Sequence, residues 1–158
     1  SLRDLGMTMA PQNAFQTLLG LETLSLRMKK HVSNARKIAN WLEQHPKIDK
    51  VTYAGLKSSK YHDLAKSMLP KGAGALFTIS LKEGYEACIK MINKLNLFSH
   101  VSNLGDTRSL IIHPASTVHR QLTEQQQINA GLAPNVIRLS IGIEDPKDLI
   151  DDLKQALE

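Results

Sequence analysis

The first third of the chain carries apolar residues at helical spacing. The stripe is clearest over residues 28–42, where basic and amide side chains occupy the opposite side. It predicts an amphipathic helix that ends at His45-Pro46, because the residue before a proline is pushed out of the helical region. An earlier helix is predicted to begin at Pro11, with a kink within residues 20–25 where Gly20 interrupts the apolar pattern.

After residue 46 the predicted elements are shorter and alternate between strands and helices. Phe77, Ile79 and Leu81 take alternate positions, which is the period of a half-buried strand. The predicted strands are 51–53, 75–81, 110–112 and 136–143, and the predicted helices are 61–69, 85–95, 123–131 and 145–157. This order predicts an α+β fold, a small mainly antiparallel sheet covered on one face by helices.

The length and composition are those of one soluble globular domain. The chain has 158 residues, of which 42% are apolar and 22% charged. No stretch approaches the roughly 20 apolar residues of a membrane span, and no signal-peptide pattern opens the chain. No membrane partner and a cytoplasmic location are therefore expected. Residues 1–10 show no clear period and are interpreted as a linker remnant, which leaves residues 11–158 as the domain.

A net charge of +5 is compatible with nucleic-acid binding. The densest basic run, residues 27–37 including His31, lies mostly on the polar face of the amphipathic helix. Aromatic residues make up only 4% of the chain, so platforms on which bases could stack are scarce. No nucleic-acid partner is expected, and a solvated or interdomain face is the better interpretation.

The cysteine and two of the histidines are candidates for a reactive thiol or a metal site. Cys88 is the only cysteine and has apolar neighbours, which predicts a core residue. His113 and His119 have five residues between them, but no cysteine lies near, and structural zinc normally takes four protein ligands. No metal site is expected, and His113 beside Pro114 is assigned a structural role.

Three stretches together carry a family resemblance. They are Pro11-Gln12-Asn13-Ala14-Phe15 with Gly20-Leu21-Glu22-Thr23-Leu24, Asn103-Leu104-Gly105-Asp106 with Ser109-Leu110-Ile111-Ile112-His113-Pro114-Ala115-Ser116-Thr117, and Ile137-Arg138-Leu139-Ser140-Ile141-Gly142-Ile143-Glu144-Asp145. In this order they resemble the C-terminal domain of the Cys/Met-metabolism family of pyridoxal-phosphate enzymes. Within the family the chain is most similar to O-acetylhomoserine sulfhydrylases, because Asn103 stands where the lyases and cystathionine synthases usually have serine.

The resemblance implies a parent enzyme of methionine biosynthesis, a transferase that uses pyridoxal phosphate. Its substrates would be O-acetylhomoserine and sulfide or methanethiol, its products homocysteine or methionine, and its assembly a homotetramer. The family's Schiff-base lysine lies upstream in a Ser-x-Thr-Lys run, and the nearest run here, Ser58-Ser59-Lys60, does not fit. No catalytic or cofactor-binding residue is therefore expected in this chain, which should be inactive without an N-terminal cofactor domain.

Two residues are the candidates for substrate binding. Strand alternation puts Ile137 and Leu139 on one face and Arg138 on the other, and the family's matching arginine grips the substrate carboxylate. A guanidinium suits this task because its planar fork donates two parallel hydrogen bonds. The resemblance gives Asn103 a part in orienting the same carboxylate, with an ordinary turn asparagine as the alternative.

Two alternative functions stay open. One is the same domain from a methionine gamma-lyase or cystathionine gamma-synthase. The other is a stand-alone, non-enzymatic interaction module that shares the fold.

Overall fold

The computed structural model describes residues 2–158, in which seven helices and five strands alternate. The helices are α1 (Leu2–Leu5), α2 (Pro11–Glu22), α3 (Leu24–Glu43), α4 (His62–Met68), α5 (Gly84–Lys94), α6 (Glu124–Asn129) and α7 (Pro146–Leu157). The strands are β1 (Ile48–Thr52), β2 (Leu76–Leu81), β3 (Ser99–His100), β4 (Leu110–Ile112) and β5 (Val136–Ser140).

The five strands form one sheet in the order β1-β2-β5-β4-β3. Three neighbouring pairs are antiparallel, and only β3 and β4 run parallel. In the central pair, Phe77 lies opposite Leu139 and Thr78 lies opposite Arg138. The predicted α+β fold with a mainly antiparallel sheet is confirmed.

One face of the sheet forms the hydrophobic core. Directly opposed residues share a face, so Phe77, Ile79, Ile137 and Leu139 all point to the same side, and each is buried. Helices α3, α5 and α7 cover this side. Their contributions include Ile38 and Leu42 from α3, Met91 from α5, and Leu149 and Leu153 from α7. Burying a side chain of this size stabilises the fold by about 1.5–3 kcal/mol relative to exposure.

The predicted helix ends follow from local chemistry. The Thr123 hydroxyl accepts a hydrogen bond from Gln126 N, and the Gln126 side chain accepts one from Thr123 N, which completes the expected capping box. The Asp145 carboxylate accepts a hydrogen bond of 2.7 Å from Lys147 N and caps α7. The expected kink near Gly20 is a break at Thr23 that separates α2 from α3.

Several predicted boundaries were wrong. Strand β1 begins at Ile48 and ends before Tyr53, and the two-residue strand β3 is too short to leave a hydropathy pattern. Strand β5 stops at Ser140 instead of extending to residue 143, because the backbone beyond it bonds to side chains and a loop. Helix α1 lies within residues 1–10, where no element was expected, and Ser1 lies outside the described residues.

Helix α2 contributes no buried residue to the fold. Its apolar side chains Phe15, Leu18, Leu19 and Leu21 are 47–61% exposed. A helix of this composition normally buries its apolar side against another element. Within residues 2–158, however, nothing buries this apolar surface.

No helix in this range is long and apolar enough to cross a membrane.

Cys88 is a core residue, as its neighbours predicted. Its side chain is fully buried on α5. Burial raises the pKa of the Cys88 thiol to about 12, since a thiolate loses its hydration in an apolar site. The thiol is therefore neutral at physiological pH.

We expect Leu153→Ala to lower the free energy of unfolding of the 158-residue chain by about 2–5 kcal/mol, because it leaves a cavity under the sheet. Leu64→Ala is the matched control, since Leu64 is also helical but 56% exposed, and its effect should stay within about 0.5 kcal/mol. Denaturant titration followed by circular dichroism measures both. Equal losses would contradict the core described here.

We expect the Cys88 thiol to resist alkylation and disulfide exchange in the native chain at pH 8. Raising its pKa from 9.0 to about 12 lowers the thiolate fraction at that pH about a thousandfold. Thiol titration should detect it rapidly only in denaturant, whereas a cysteine introduced at an exposed position by Ser33→Cys should react at once in the native chain. Fast labelling of native Cys88 would show that the core opens readily around α5.

Candidate functional site

Arg138 projects from the middle of β5, on the face opposite the core helices. Its direct neighbours across the sheet are Thr78 on β2 and Ile112 on β4, which therefore share its face. The residues flanking it, Ile137 and Leu139, are fully buried in the core. The predicted orientation of Arg138 agrees with this register. The side chain itself is half-buried.

The guanidinium of Arg138 has few partners. Its Nη2 donates to Ser102 Oγ and to the backbone carbonyl of Asn103, both at 3.4 Å, which are long and therefore weak hydrogen bonds. Among residues 2–158 no carboxylate oxygen lies within 4.0 Å of it. An arginine has five N–H donors, so this side chain retains unused capacity for an anion with two oxygens.

Asn103 and Arg138 are brought together, although not through the Asn103 side chain. The amide oxygen of Asn103 accepts a hydrogen bond of 2.9 Å from Leu104 N, and only the backbone carbonyl reaches Arg138. The residue is exposed. Gly105 follows with φ of +73°, a conformation that favours glycine. This local geometry is also that of a turn asparagine.

The segment that bears Ser102 and Asn103 connects β3 to β4, and residues 102–109 are called the 102–109 loop below. Its last residue, Ser109, is fully buried. Both carboxylate oxygens of Glu144 accept hydrogen bonds from Ser109, Oε1 from the backbone N at 2.6 Å and Oε2 from the hydroxyl at 2.9 Å. Glu144 belongs to the segment that continues β5 beyond Ser140. The loop is therefore anchored to the same stretch of chain that carries Arg138.

Two buried polar residues of α3 hold this segment from the other side. His31 Nδ1 donates to the carbonyl of Ile141 at 2.6 Å. Asn34 Nδ2 donates to the carbonyls of Gly142 and Glu144 at 3.1 and 2.8 Å. His31 is an exception within the basic run, which was expected to lie mostly on the polar face: it is buried, because its ring donates to a carbonyl group of this segment. Lys29, Lys30, Arg36 and Lys37 of the same run are exposed as expected.

Sequence reasoning did not single out Ser109, Glu144, His31 or Asn34. A signal was present for the two α3 residues, since positions 31 and 34 fall on the helical face of Ile38 and Leu42. Polar residues at core positions need hydrogen-bond partners, and their partners lie more than 100 positions along the chain. No local pattern identifies them.

His113 is structural, in agreement with its predicted role. It is buried, and its Nε2 lies 2.7 Å from the Pro134 carbonyl, which can only accept and so assigns the ring proton to Nε2. Nδ1 is then free to accept from Ser116 Oγ at 2.8 Å. The described residues contain no group of three or more histidine, cysteine or acidic side chains that could hold a metal ion.

The only candidate lysine run does not resemble a cofactor-attachment site. Lys60 is exposed, and its Nζ lies 4.9 Å from the centre of the Tyr61 ring. Ser58 donates its hydroxyl to Glu43. A lysine that forms a Schiff base is normally desolvated, so the geometry around Lys60 does not suit that role.

The model of the Cys/Met metabolism PLP-dependent enzyme family matches residues 1–158. O-acetyl-L-homoserine sulfhydrylase 1 of Thermus thermophilus is 47% identical over 156 residues, which cover 99% of this chain and 37% of that protein. Homocysteine synthase of Schizosaccharomyces pombe is 47% identical over 158 residues, covering 100% of this chain and 37% of that protein. L-methionine gamma-lyase of Fusobacterium nucleatum is 40% identical over 158 residues, which cover 99% of this chain and 40% of that protein.

A solved structure has the same fold. A putative O-acetylhomoserine (thiol)-lyase of Campylobacter jejuni, crystallised with a pyridoxyl-lysine phosphate residue, superposes with a TM-score of 0.90 at 50% identity. The match covers 99% of this chain and 37% of that one.

The family matches and the fold agree, and the resemblance inferred from the sequence motifs is confirmed. The chain spans between one third and two fifths of the length of the relatives described above, from 37% to 40%. It belongs to the Cys/Met metabolism family of PLP-dependent enzymes.

Proposed function

We propose that this chain is the C-terminal, substrate-carboxylate-binding part of an O-acetylhomoserine sulfhydrylase. The longer enzyme would make homocysteine or methionine from O-acetylhomoserine and sulfide or methanethiol, releasing acetate. Support comes from the relatives of 47–48% identity, which are named O-acetyl-L-homoserine sulfhydrylase or homocysteine synthase.

The observation that carries the proposal is the position of the Arg138 guanidinium, on the face of β5 opposite the core helices and beside the 102–109 loop. No carboxylate of residues 2–158 lies within 4.0 Å of it, so its charge is not already paired with an acid of these residues. An amino-acid substrate supplies such a carboxylate. Two parallel charge-assisted hydrogen bonds from the unused N–H donors of the guanidinium would bind it. Asn103 is proposed to take part through its exposed side chain, whose amide nitrogen can donate a hydrogen bond to the bound carboxylate.

The residues of this chain do not fit covalent attachment of pyridoxal phosphate. Lys60 is exposed, and no lysine of residues 2–158 is buried as a Schiff-base lysine normally is. We therefore assign the cofactor to the rest of the longer protein, and the role of this chain is to bind and orient the substrate. The exposed apolar side chains of α2 support packing against such a further domain.

A gamma-lyase is the second candidate, because two L-methionine gamma-lyases of Fusobacterium nucleatum are 40–41% identical to this chain. The substrates of both enzymes carry an alpha-carboxylate that must be bound, so Arg138 does not distinguish the two activities. Sulfide-dependent formation of homocysteine from O-acetylhomoserine supports the sulfhydrylase, whereas release of methanethiol from methionine supports the lyase.

We expect the 158-residue chain alone to form no specific adduct with pyridoxal phosphate. Titration with the cofactor should give only the weak, non-saturating absorbance of exposed lysines. The full-length protein is the positive control. A stoichiometric and saturable band from the chain alone would contradict the assignment of the cofactor to the remaining part.

We expect Arg138→Ala in the full-length enzyme to lower kcat/KM for O-acetylhomoserine by roughly 3 kcal/mol, about 150-fold, since a charge-assisted pair is lost. Arg138→Lys should raise KM less, because it keeps the charge but loses the planar fork. The KM for sulfide should stay nearly unchanged, since sulfide has no carboxylate.

Arg36→Ala is the matched control, because Arg36 is an exposed arginine on α3. It should leave the kinetic constants unchanged, and thermal melts should show that both alanine variants remain folded. An Arg138→Ala protein that loses thermal stability while its folded fraction keeps a normal KM would make Arg138 a structural residue.

A further inference from the structure

The 102–109 loop touches Arg138 at one end and Glu144 at the other. Ser102 Oγ and the Asn103 carbonyl accept from Arg138 Nη2, while Ser109 donates twice to the Glu144 carboxylate. Arg138 and Glu144 are six positions apart on one continuous segment. Both ends of the loop therefore contact the same stretch of chain, residues 138–144.

The contact at the Ser109 end is tight. Gly142 N donates to Ser109 Oγ at 2.9 Å, and Ile143 N donates to the Thr107 carbonyl at 2.9 Å. A Cβ on Gly142 would overlap the Thr107 carbonyl oxygen and lie 2.6 Å from the carbonyl carbon of Arg108. Because these are backbone atoms, the loop and the segment could not both stay in place with a larger residue. The loop therefore lies directly against residues 142–144.

The Glu144 carboxylate is committed to this contact. Among residues 2–158 no cation lies within 4.0 Å of it, and both of its oxygens accept from Ser109. Its backbone carbonyl is held at 2.8 Å by the buried Asn34 side chain. Hydrogen bonds to a carboxylate are roughly twice as strong as those between neutral groups. The charge thus serves to fix the end of the loop.

The middle of the loop, between Ser109 and the residues that contact Arg138, contains an internal ion pair and a turn. The Asp106 carboxylate accepts from Arg108 N at 3.0 Å and pairs with the Arg108 side chain at 3.3 Å. Gly105 supplies the turn with φ of +73°. The fixed last residue and the turn at Gly105 define the path by which the loop brings Ser102 and Asn103 beside the guanidinium.

We propose that Glu144 is a positioning residue for the carboxylate-binding site, acting through Ser109 and the 102–109 loop on Arg138. This inference rests on the proposed function, because it assigns Glu144 to the same substrate carboxylate. It differs from a purely structural role in one measurable respect. If the loop is loosened, the groups around the substrate carboxylate are misplaced and substrate binding weakens. The catalytic step, which we assign to the remaining part of the enzyme, should change little.

The test uses the full-length holoenzyme with Glu144→Gln, which keeps the size of the side chain but removes one acceptor oxygen and the charge. KM for O-acetylhomoserine should rise about tenfold, since misplaced positioning groups weaken binding of the substrate. Both kcat and the KM for sulfide should change less than about twofold. Ser109→Ala, which removes only the hydroxyl, should give a smaller rise and provides a second variant if the first fails to fold.

The matched control is Asp151→Asn, which removes a carboxylate from α7 whose partner is the exposed Lys147. It should leave every kinetic constant unchanged. Glu144→Gln should then be combined with Arg138→Ala. If Glu144 acts through the site, its effect on KM should largely disappear in the absence of Arg138, because coupled residues are not additive.

The outcomes separate the two proposals. An unchanged KM in both Glu144→Gln and Ser109→Ala, or an equal rise in KM with and without Arg138, would overturn the positioning role alone. A parallel loss of kcat and sulfide affinity together with thermal stability would also overturn it, in favour of a structural role. Arg138→Ala without any effect on KM would overturn the proposed function itself, and the inference with it.

Discussion

Burial of one face of the sheet against three helices is the constraint on which the other features of this molecule depend. In the central strands every second side chain enters the core, so the residues between them must face away from α3, α5 and α7. A shift of one residue in the register of β5 would bury Arg138 and expose Ile137 and Leu139. The cost of burying an unpaired guanidinium makes that arrangement inaccessible.

The same constraint explains why the proposed site lies where it does. Arg138 lies on the face of β5 away from the core helices, where its own side chain stays partly exposed although its neighbours Val136, Ser140 and Ile112 are buried. Beyond Ser140 the backbone leaves the sheet, and its carbonyls at residues 141, 142 and 144 are satisfied by His31 and Asn34. The site and the core are joined through these side chains, since α3 packs the core and holds the segment that anchors the 102–109 loop.

Membership of the family gives these features a context. A chain that matches the family model along its whole length, yet spans 37% of the length of several relatives, carries only part of what those proteins contain. Among residues 2–158 the apolar side chains of α2 stay exposed, and no carboxylate lies within 4.0 Å of the Arg138 guanidinium. Both observations are consistent with the proposal that this chain binds the substrate and another domain binds the cofactor.

The sequence by itself determined the elements whose signals are local. The stripe of α3, the alternation of β2, the caps at Thr123 and Asp145, and the orientation of Arg138 all depend on periods of two or 3.6 residues or on neighbours within a turn. The motifs were also sufficient to recognise the family. Only the tertiary structure decided where β5 ends, which carbonyl groups His31 and Asn34 bind, and that the Glu144 carboxylate binds Ser109, 35 positions earlier in the sequence. Those contacts join distant segments, and a hydrogen bond between distant segments leaves no periodic trace in the chain.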